Sequence, residues 1–545
     1  MDKKIIGFLS LEVLIVFLMS LAYLPQEFSF VFLLIFFLGI IVLDDLDSLL
    51  LFILSIPFFV VFPPSSLSDA MSVWRFAVII LFLKIFLTSA GARKIFNEIR
   101  KKKLKGIEDF GQRFSVLLKE IKKANYYKIL IPLVAFFLIA LLSLFSAASA
   151  GAGIKKIIFI SSAALLFPII MMAVKEKKDI EKVIRAVFIS LLVMLFFGYA
   201  QFVASFFVRL YDFWGLWDNY VIQVLYGEKM SVLLSYSNTW FSYYEGTDLP
   251  PTLRMFSLMP DSHSFSMLMI MLFAVTLFYF KSSNDKKSRK KYFILMILSL
   301  MAIFFSGSRG AWAGWLGALA VALGFYYFGR ISKKNKLLRD KRFLSEHDNH
   351  RLILVAVSLF AILLPVSSFF LNMNQDAQIV RDGLVVENRG NALLRRTKSI
   401  YDFDETSNKG RLQIWKESAV SVAENPLSGV GYGNFSVAIG ENVSTTKLGS
   451  SAHNIYLDIA VEIGLLGLLF FLLILWYIAR KLFDLSYRLK DDNLRFLSGA
   501  FLVAFAWLSA YGFFDVVLLN DKVLIILIII IALLYRAEQL DYKGK

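Results

Sequence analysis

The sequence contains no cysteine, which removes disulfides, thiolate metal sites and a cysteine nucleophile in one stroke. It has no Walker A loop and no soluble domain between its apolar runs, so chemistry driven directly by a cytosolic nucleotide is not expected. The alternating ten-residue strands of a membrane barrel are missing, and no internal repeat is visible, which weighs against an inverted-repeat transporter. The N-terminal stretch MDKKIIGFLSLEVLIVFLMSLAYL has a charged start but no small-residue cleavage site. Its apolar run is too long for a signal-peptide core, so it reads as a retained first span.

What is present is apolar surface. Hydrophobic residues make up 58% of the 545 positions and aromatic ones 16%, and the mean hydropathy is +0.66. That is more than one soluble core can hide, and it marks an integral membrane protein. The apolar runs approach the roughly 20 residues a helix needs to cross about 30 Å of hydrocarbon. The expected fold class is therefore all-α, a polytopic transmembrane helical bundle. About fourteen spans are expected, near 5–24, 28–43, 48–62, 72–90, 129–147, 157–174, 186–208, 264–280, 292–306, 311–328, 352–371, 454–477, 496–516 and 522–536.

The net charge of +17 does not point to nucleic acid, because the basic residues sit mainly between apolar runs, where they report topology. With the N-terminus inside, the basic connections 93–128, 175–185, 281–291 and 330–351 are cytoplasmic, and 25–27, 63–70 and 518–521, almost free of Lys and Arg, face out. Lys155 and Lys156 fall on the outer side and run against this bias. Two long connections, 211–263 and 372–452, also face out; rich in aromatic, Gly and polar residues, they are expected to be ordered and to cover the outer face. The expected division is 1–210 N-terminal helices, 211–263 first outward loop, 264–371 central helices, 372–452 large outward loop with short helices, and 453–545 C-terminal helices.

Four stretches carry chemistry. In SGSRGAWAGW, 306–315, Arg309 sits at the mouth of two helices among small residues that permit close backbone approach. It is either a snorkelling interfacial anchor or a bidentate donor for a phosphate or pyrophosphate. In GRLQIWKESAVSVAEN, 410–425, the residues Leu412, Trp415, Ala419, Val422 and Ala423 recur at helical spacing, with Arg411 one turn before Trp415 and Pro426 as a stop signal. This predicts an amphipathic surface helix, on which Arg411 either meets water or serves a site. Gly429, Gly431 and Gly433 imitate a nucleotide loop, but no strand precedes them, and they read as a tight turn back to the bundle.

His453 then opens the run NIYLDIAVEIGLLGLLFF, with Ser450 and Ser451 as candidate helix caps. Within that run Asp458 and Glu462 share one helix face and are not expected to meet lipid. A structural histidine is the plain reading of His453; the outward rim, the nearby acids and the two mouth arginines favour a general base. In RMFSLMPDSHSFS, 254–266, Asp261 and His263 suggest a metal site with His453, but the spacing matches no zinc pattern, and turn and capping chemistry explains PDSHS more simply. No metal and no cofactor are expected. His347 and His350 lie in a basic connection and are expected to be solvated.

These stretches, SGSRGAWAGW, GRLQIWKESAVSVAENPLSGVGYGNF and AHNIYLDIAVEIGLLGLL, resemble in order and separation the bacterial O-antigen ligases and polymerases, over roughly 254–468. The resemblance implies a GT-C-like architecture and an inverting, metal-independent glycosyltransferase. Its donor would be an undecaprenyl-pyrophosphate-linked glycan, its acceptor a glycan or lipid-linked hydroxyl, and its setting membrane lipid with polysaccharide assembly partners and no nucleic acid. It would sit in the bacterial cytoplasmic membrane with both termini cytoplasmic and the site facing out. By motif, Arg309 and Arg411 would bind pyrophosphate, Arg254 would add a phosphate contact and His453 would activate the acceptor hydroxyl. PDSHS departs from the Asp-Pro-Asn-like sequence often found there. A polymerase is the preferred member, since no protein-acceptor domain is visible. The alternatives are a ligase using lipid A-core or a protein O-oligosaccharyltransferase, and in another class a lipid-linked glycan flippase.

Overall fold

The computed structural model describes residues 2–60, 72–88, 127–235, 239–244, 247–334, 341–387, 406–440 and 451–543. The connection expected at 63–70, residues 93–126 of the one expected at 93–128, and the parts 335–340, 388–405 and 441–450 of later ones lie outside the described residues.

The chain is a polytopic all-α membrane protein. The first helices are α1 (Lys3–Ser20), α2 (Ser29–Val42), α3 (Asp45–Ser55) and α4 (Val73–Thr88), followed by α5 (Tyr127–Leu142), α6 (Ala150–Ala164), α7 (Leu166–Ala173) and α8 (Lys177–Ala204). The second half holds α9 (Ser262–Ser282), α10 (Lys286–Phe305), α11 (Arg309–Lys334), α12 (Lys341–Asp382), α13 (Thr406–Glu424), α14 (Ile455–Arg488), α15 (Asp492–Tyr511) and α16 (Asp521–Lys543). Each of the fourteen expected spans overlaps a helix, and among the described residues eight stretches are long and apolar enough by themselves to cross a membrane. Of the other helices, α2 and α3 are short, and α10 opens on the charged run KKSRKK.

Helix α15 is the hub, packed against α9, α11 and α14. In α9 and α15, 83% of the apolar window is buried, against 22% in Ile129–Ser146, so the first two are core and the last is peripheral. The close approach of α11 to α15 follows from GAWAGWLG: a Cβ on Gly314 would lie 3.0 Å from Tyr511 N and 3.1 Å from Trp507 O. Small residues here replace the missing hydrophobic drive between helices in lipid with close van der Waals packing. Trp507 Nε1 donates to Ala311 O at 2.7 Å across the same seam.

The connection after α8 folds on its own small core of Leu210, Phe213, Ile222, Leu234, Trp240, Phe241, Leu253 and Phe256. It carries a short antiparallel pair, Phe241 opposite Leu253 and Ser242 opposite Thr252. The Gln201 side chain of α8 pins its return, accepting from Ser257 N at 2.7 Å and donating to Ser257 O at 3.0 Å.

Two expectations fail on packing grounds. His350 is not solvated: it belongs to α12, is buried, and stacks on Phe325 with ring centroids 4.8 Å apart. Lys156 is no topology marker: its ammonium pairs with Glu462 and lies 3.6 Å from Asp458, so the two acids of α14 face α6 rather than lipid. Buried carboxylates need a cation, and this is why a lysine sits where the loop bias disfavours one.

Candidate active site

At one end of the bundle the N-termini of α9, α11 and α14 meet the C-terminal end of α15. Arg309 is the first residue of α11, reached from α10 by Ser306–Ser308, where Gly307 takes φ +65°. Arg254 leaves the short strand pair, its backbone N bonded to Trp240 O at 2.8 Å and its Nε donating to Ser242 Oγ at 3.0 Å. The next residue ties this segment to the end of α10, Met255 N to Phe305 O at 2.9 Å.

Helix α13 brings Arg411. It packs on α14 through Ile414 and Val422, with Ser418 and Ser421 buried between. The expected apolar stripe is thus misplaced: Leu412, Ala419 and Ala423 are exposed. The inward face holds small serines because the helix lies close against the bundle.

After α13 the segment 426–434 crosses a break in α14. Ile463 (φ −128°) and Gly464 (φ +72°, ψ 178°) are non-helical, and the loop supplies the missing partners: Val430 N to Val461 O at 2.9 Å, Gly431 N to Glu462 O at 3.0 Å, and Leu465 N to Pro426 O at 2.8 Å. Gly429 has φ +63°, and a Cβ there would lie 2.4 Å from Val461 O. The glycines therefore permit a backbone-on-backbone contact, a role their turn reading anticipated only in part.

His453 sits immediately before α14, with φ +47°. Positive φ is uncommon for a residue with a Cβ and costs of order 1 kcal/mol, a strain that persists only where neighbours hold it. They do: Ala452 N donates to Asp458 Oδ1 at 3.1 Å, and Ala452 O accepts from Trp415 Nε1 at 2.8 Å. The helix cap is Asn454, whose side chain accepts from Tyr456 N and Leu457 N. This corrects the expectation for Ser450 and Ser451: the first is outside the described residues and the second accepts from His453 N at 3.3 Å. Burial, then the positive field of Arg411, pushes the His453 imidazole down to about 4, with Asp458 opposing. The ring is neutral at physiological pH.

Arg254, Arg309, Arg411 and His453 all line one cavity of about 370 Å³. Its remaining walls include Thr239, His263, Tyr511 and Phe514. The lining holds three guanidinium groups, and no carboxylate is among the described residues that line it. Asp261 caps α9 by accepting from Ser264 N at 2.7 Å, as capping chemistry required, and burial pushes its carboxyl up to about 6. The cap reading missed His263, which the same turn delivers to the cavity wall. There His263 Nδ1 lies 2.9 Å from Tyr511 Oη and 3.1 Å from Ser308 Oγ. Tyr511 and Asp515, 250 residues or so along the chain, carried no sequence signal beyond the end of an apolar run.

The fold is thus a helical membrane bundle with three guanidinium groups and two imidazoles on one cavity at its end. Residues 294–472 match the family model for O-antigen ligase (Wzy_C), a likeness to that family over this stretch. The activity of that family is glycosyl transfer of the ligase or polymerase type. The match includes Arg309, Arg411 and His453, whereas Arg254 and His263 precede it and Tyr511 follows it. No curated protein matches the chain.

Proposed function

We propose that the protein transfers an undecaprenyl-pyrophosphate-linked glycan to an acceptor hydroxyl at the outer face of the bacterial cytoplasmic membrane, as a surface polysaccharide polymerase. The observation that carries this is the convergence of Arg254, Arg309, Arg411 and His453 on one cavity. Guanidinium groups bind phosphate oxygens bidentately, and the N-terminus of α11 adds its backbone dipole beside Arg309.

In the transfer, the acceptor oxygen bonds to the anomeric carbon from the face opposite the lipid, so the configuration inverts. The C–O bond to phosphate breaks and its electron pair leaves on the diphosphate, whose growing charge the arginines stabilise. The neutral imidazole of His453 takes the hydroxyl proton. The activated donor supplies the driving force, so neither a nucleotide nor a metal enters.

The test is to incubate the purified full-length protein with lipid-diphosphate-linked glycan isolated from the producing strain. Longer glycan supports a polymerase, and transfer only to added lipid A-core supports a ligase. Movement of lipid across a vesicle with no new glycosidic bond overturns the transferase reading.

A further inference from the structure

The part of the lining around His263 has its own chemistry. His263 Nδ1 faces three oxygens, Tyr511 Oη at 2.9 Å, Ser308 Oγ at 3.1 Å and Asp515 Oδ2 at 3.3 Å. Asp515 is buried, and Tyr511 Oη is bonded in turn to Ser308 Oγ and accepts from Ser266 Oγ at 3.4 Å. An ionised carboxylate only accepts, whereas the two hydroxyls can donate or accept. One proton on Nδ1 satisfies all three contacts; a bare Nδ1 would set its lone pair against Asp515. The neutral ring then carries its other lone pair on Nε2, the ring's remaining polar atom, in a side chain that lines the cavity.

We infer that His263, held by Asp515, Tyr511 and Ser308, forms a subsite that accepts a hydrogen bond from a sugar hydroxyl of the incoming acceptor. A lone pair repels phosphate oxygens, so this wall cannot serve the diphosphate that the arginines attract. Its partner is a neutral donor of a hydrogen bond, and a sugar presents several. The lining divides the substrates by chemistry: the anion of the donor lies against Arg254, Arg309 and Arg411, and the polyhydroxyl acceptor lies against His263. His263 touches substrate and sets acceptor orientation; Asp515 is a positioning residue that fixes the tautomer.

The inference rests on the glycosyl-transfer reading above, and the experiment separates the two. Purified full-length protein in proteoliposomes is given lipid-diphosphate-linked glycan from the producing strain, and longer glycan is measured against free glycan released to water. Water competes with the acceptor for the same donor but needs no sugar subsite. His263→Ala is expected to lower the ratio of transfer to hydrolysis about tenfold, the loss of roughly one hydrogen bond, with donor saturation for hydrolysis unchanged. His263→Gln, whose amide oxygen can stand near the Nε2 position, should recover much of the ratio. Asp515→Asn should lower it less than His263→Ala, with hydrolysis again intact, and it carries the test if His263→Ala fails to insert. An unchanged ratio in the His263 and Asp515 variants overturns the inference, as does an equal fall in transfer and hydrolysis. A wild-type protein that makes no longer glycan, transfers none to added lipid A-core and releases none overturns the transferase reading itself.

Discussion

Two charged clusters meet at α14, one tying two helices together and the other lining a cavity. Around Lys156, one ammonium meets Glu462 and Asp458 and lies 4.7 Å from the ring centroid of Tyr432. That cluster carries its counter-charges within itself and ties α6 to α14. In the cavity at the end of the bundle, Arg254, Arg309 and Arg411 come together with no acidic residue in the described lining. Charges of one sign gathered in a low-dielectric pocket favour a ligand of the other sign, while a self-compensated group favours the folded chain. Asp458 joins the two, since its second oxygen holds Ala452 beside His453.

The sharpest break in this comparison is His453→Ala. With the cavity serving chemistry, turnover should fall about 10²- to 10⁴-fold, the usual contribution of a general base, while folding is preserved. Near-normal transfer by a properly inserted variant removes the role. On the other cluster, Lys156→Met should leave transfer chemistry untouched in kind but destabilise the fold by about 3–5 kcal/mol, because two buried carboxylates lose their cation. Unfolding of the detergent-solubilised protein measures this, and adding Asp458→Asn and Glu462→Gln should restore much of the loss.

Arg309→Ala and Arg411→Ala come next, each weakening donor use by about 1.5–3 kcal/mol, with Lys at either position recovering only part because it lacks the planar fork. Donor saturation curves that do not move would place the arginines with the structural cluster instead.

The smallest expected effect is on pH. His453 is held at about 4 in the free protein, so kcat/KM should be flat from neutral pH down toward that value and fall below it as the imidazole protonates. A bound diphosphate offsets the field of Arg411 and raises the imidazole pKa, so the acid limb of kcat should lie at higher pH than that of kcat/KM. Coincident limbs would separate Arg411 from the diphosphate.

Much of this was legible in residue order. The helical bundle followed from run length and hydropathy, and α13 was foreseen within a few residues because Gly410, the 3.6 period and Pro426 mark it. Arg309, Arg411 and His453 were singled out because charge beside an apolar mouth needs a reason. The hidden parts are those that depend on partners distant in the chain. Lys156 looked like a breach of the loop bias until its pairing with Glu462, 306 residues away, was visible. His263 was absorbed into a capping motif that explained its neighbour Asp261 fully and itself not at all. His350 was misjudged because a basic composition around it concealed the aromatic slot between Phe325 and Tyr487.

The interruption of α14 at Ile463 and Gly464 has a consequence for how the molecule comes together. A span with open backbone groups in hydrocarbon is costly until something satisfies them, and the segment 426–434 does so from outside the helix. The order of synthesis suits this, because that segment emerges before α14 and waits for it. Arg411 and His453 are attached to the two halves of this clasp, so the seating of α14 also delivers the imidazole. One docking event thereby joins the arginine arm to the base, and a chain stalled before it carries the first without the second.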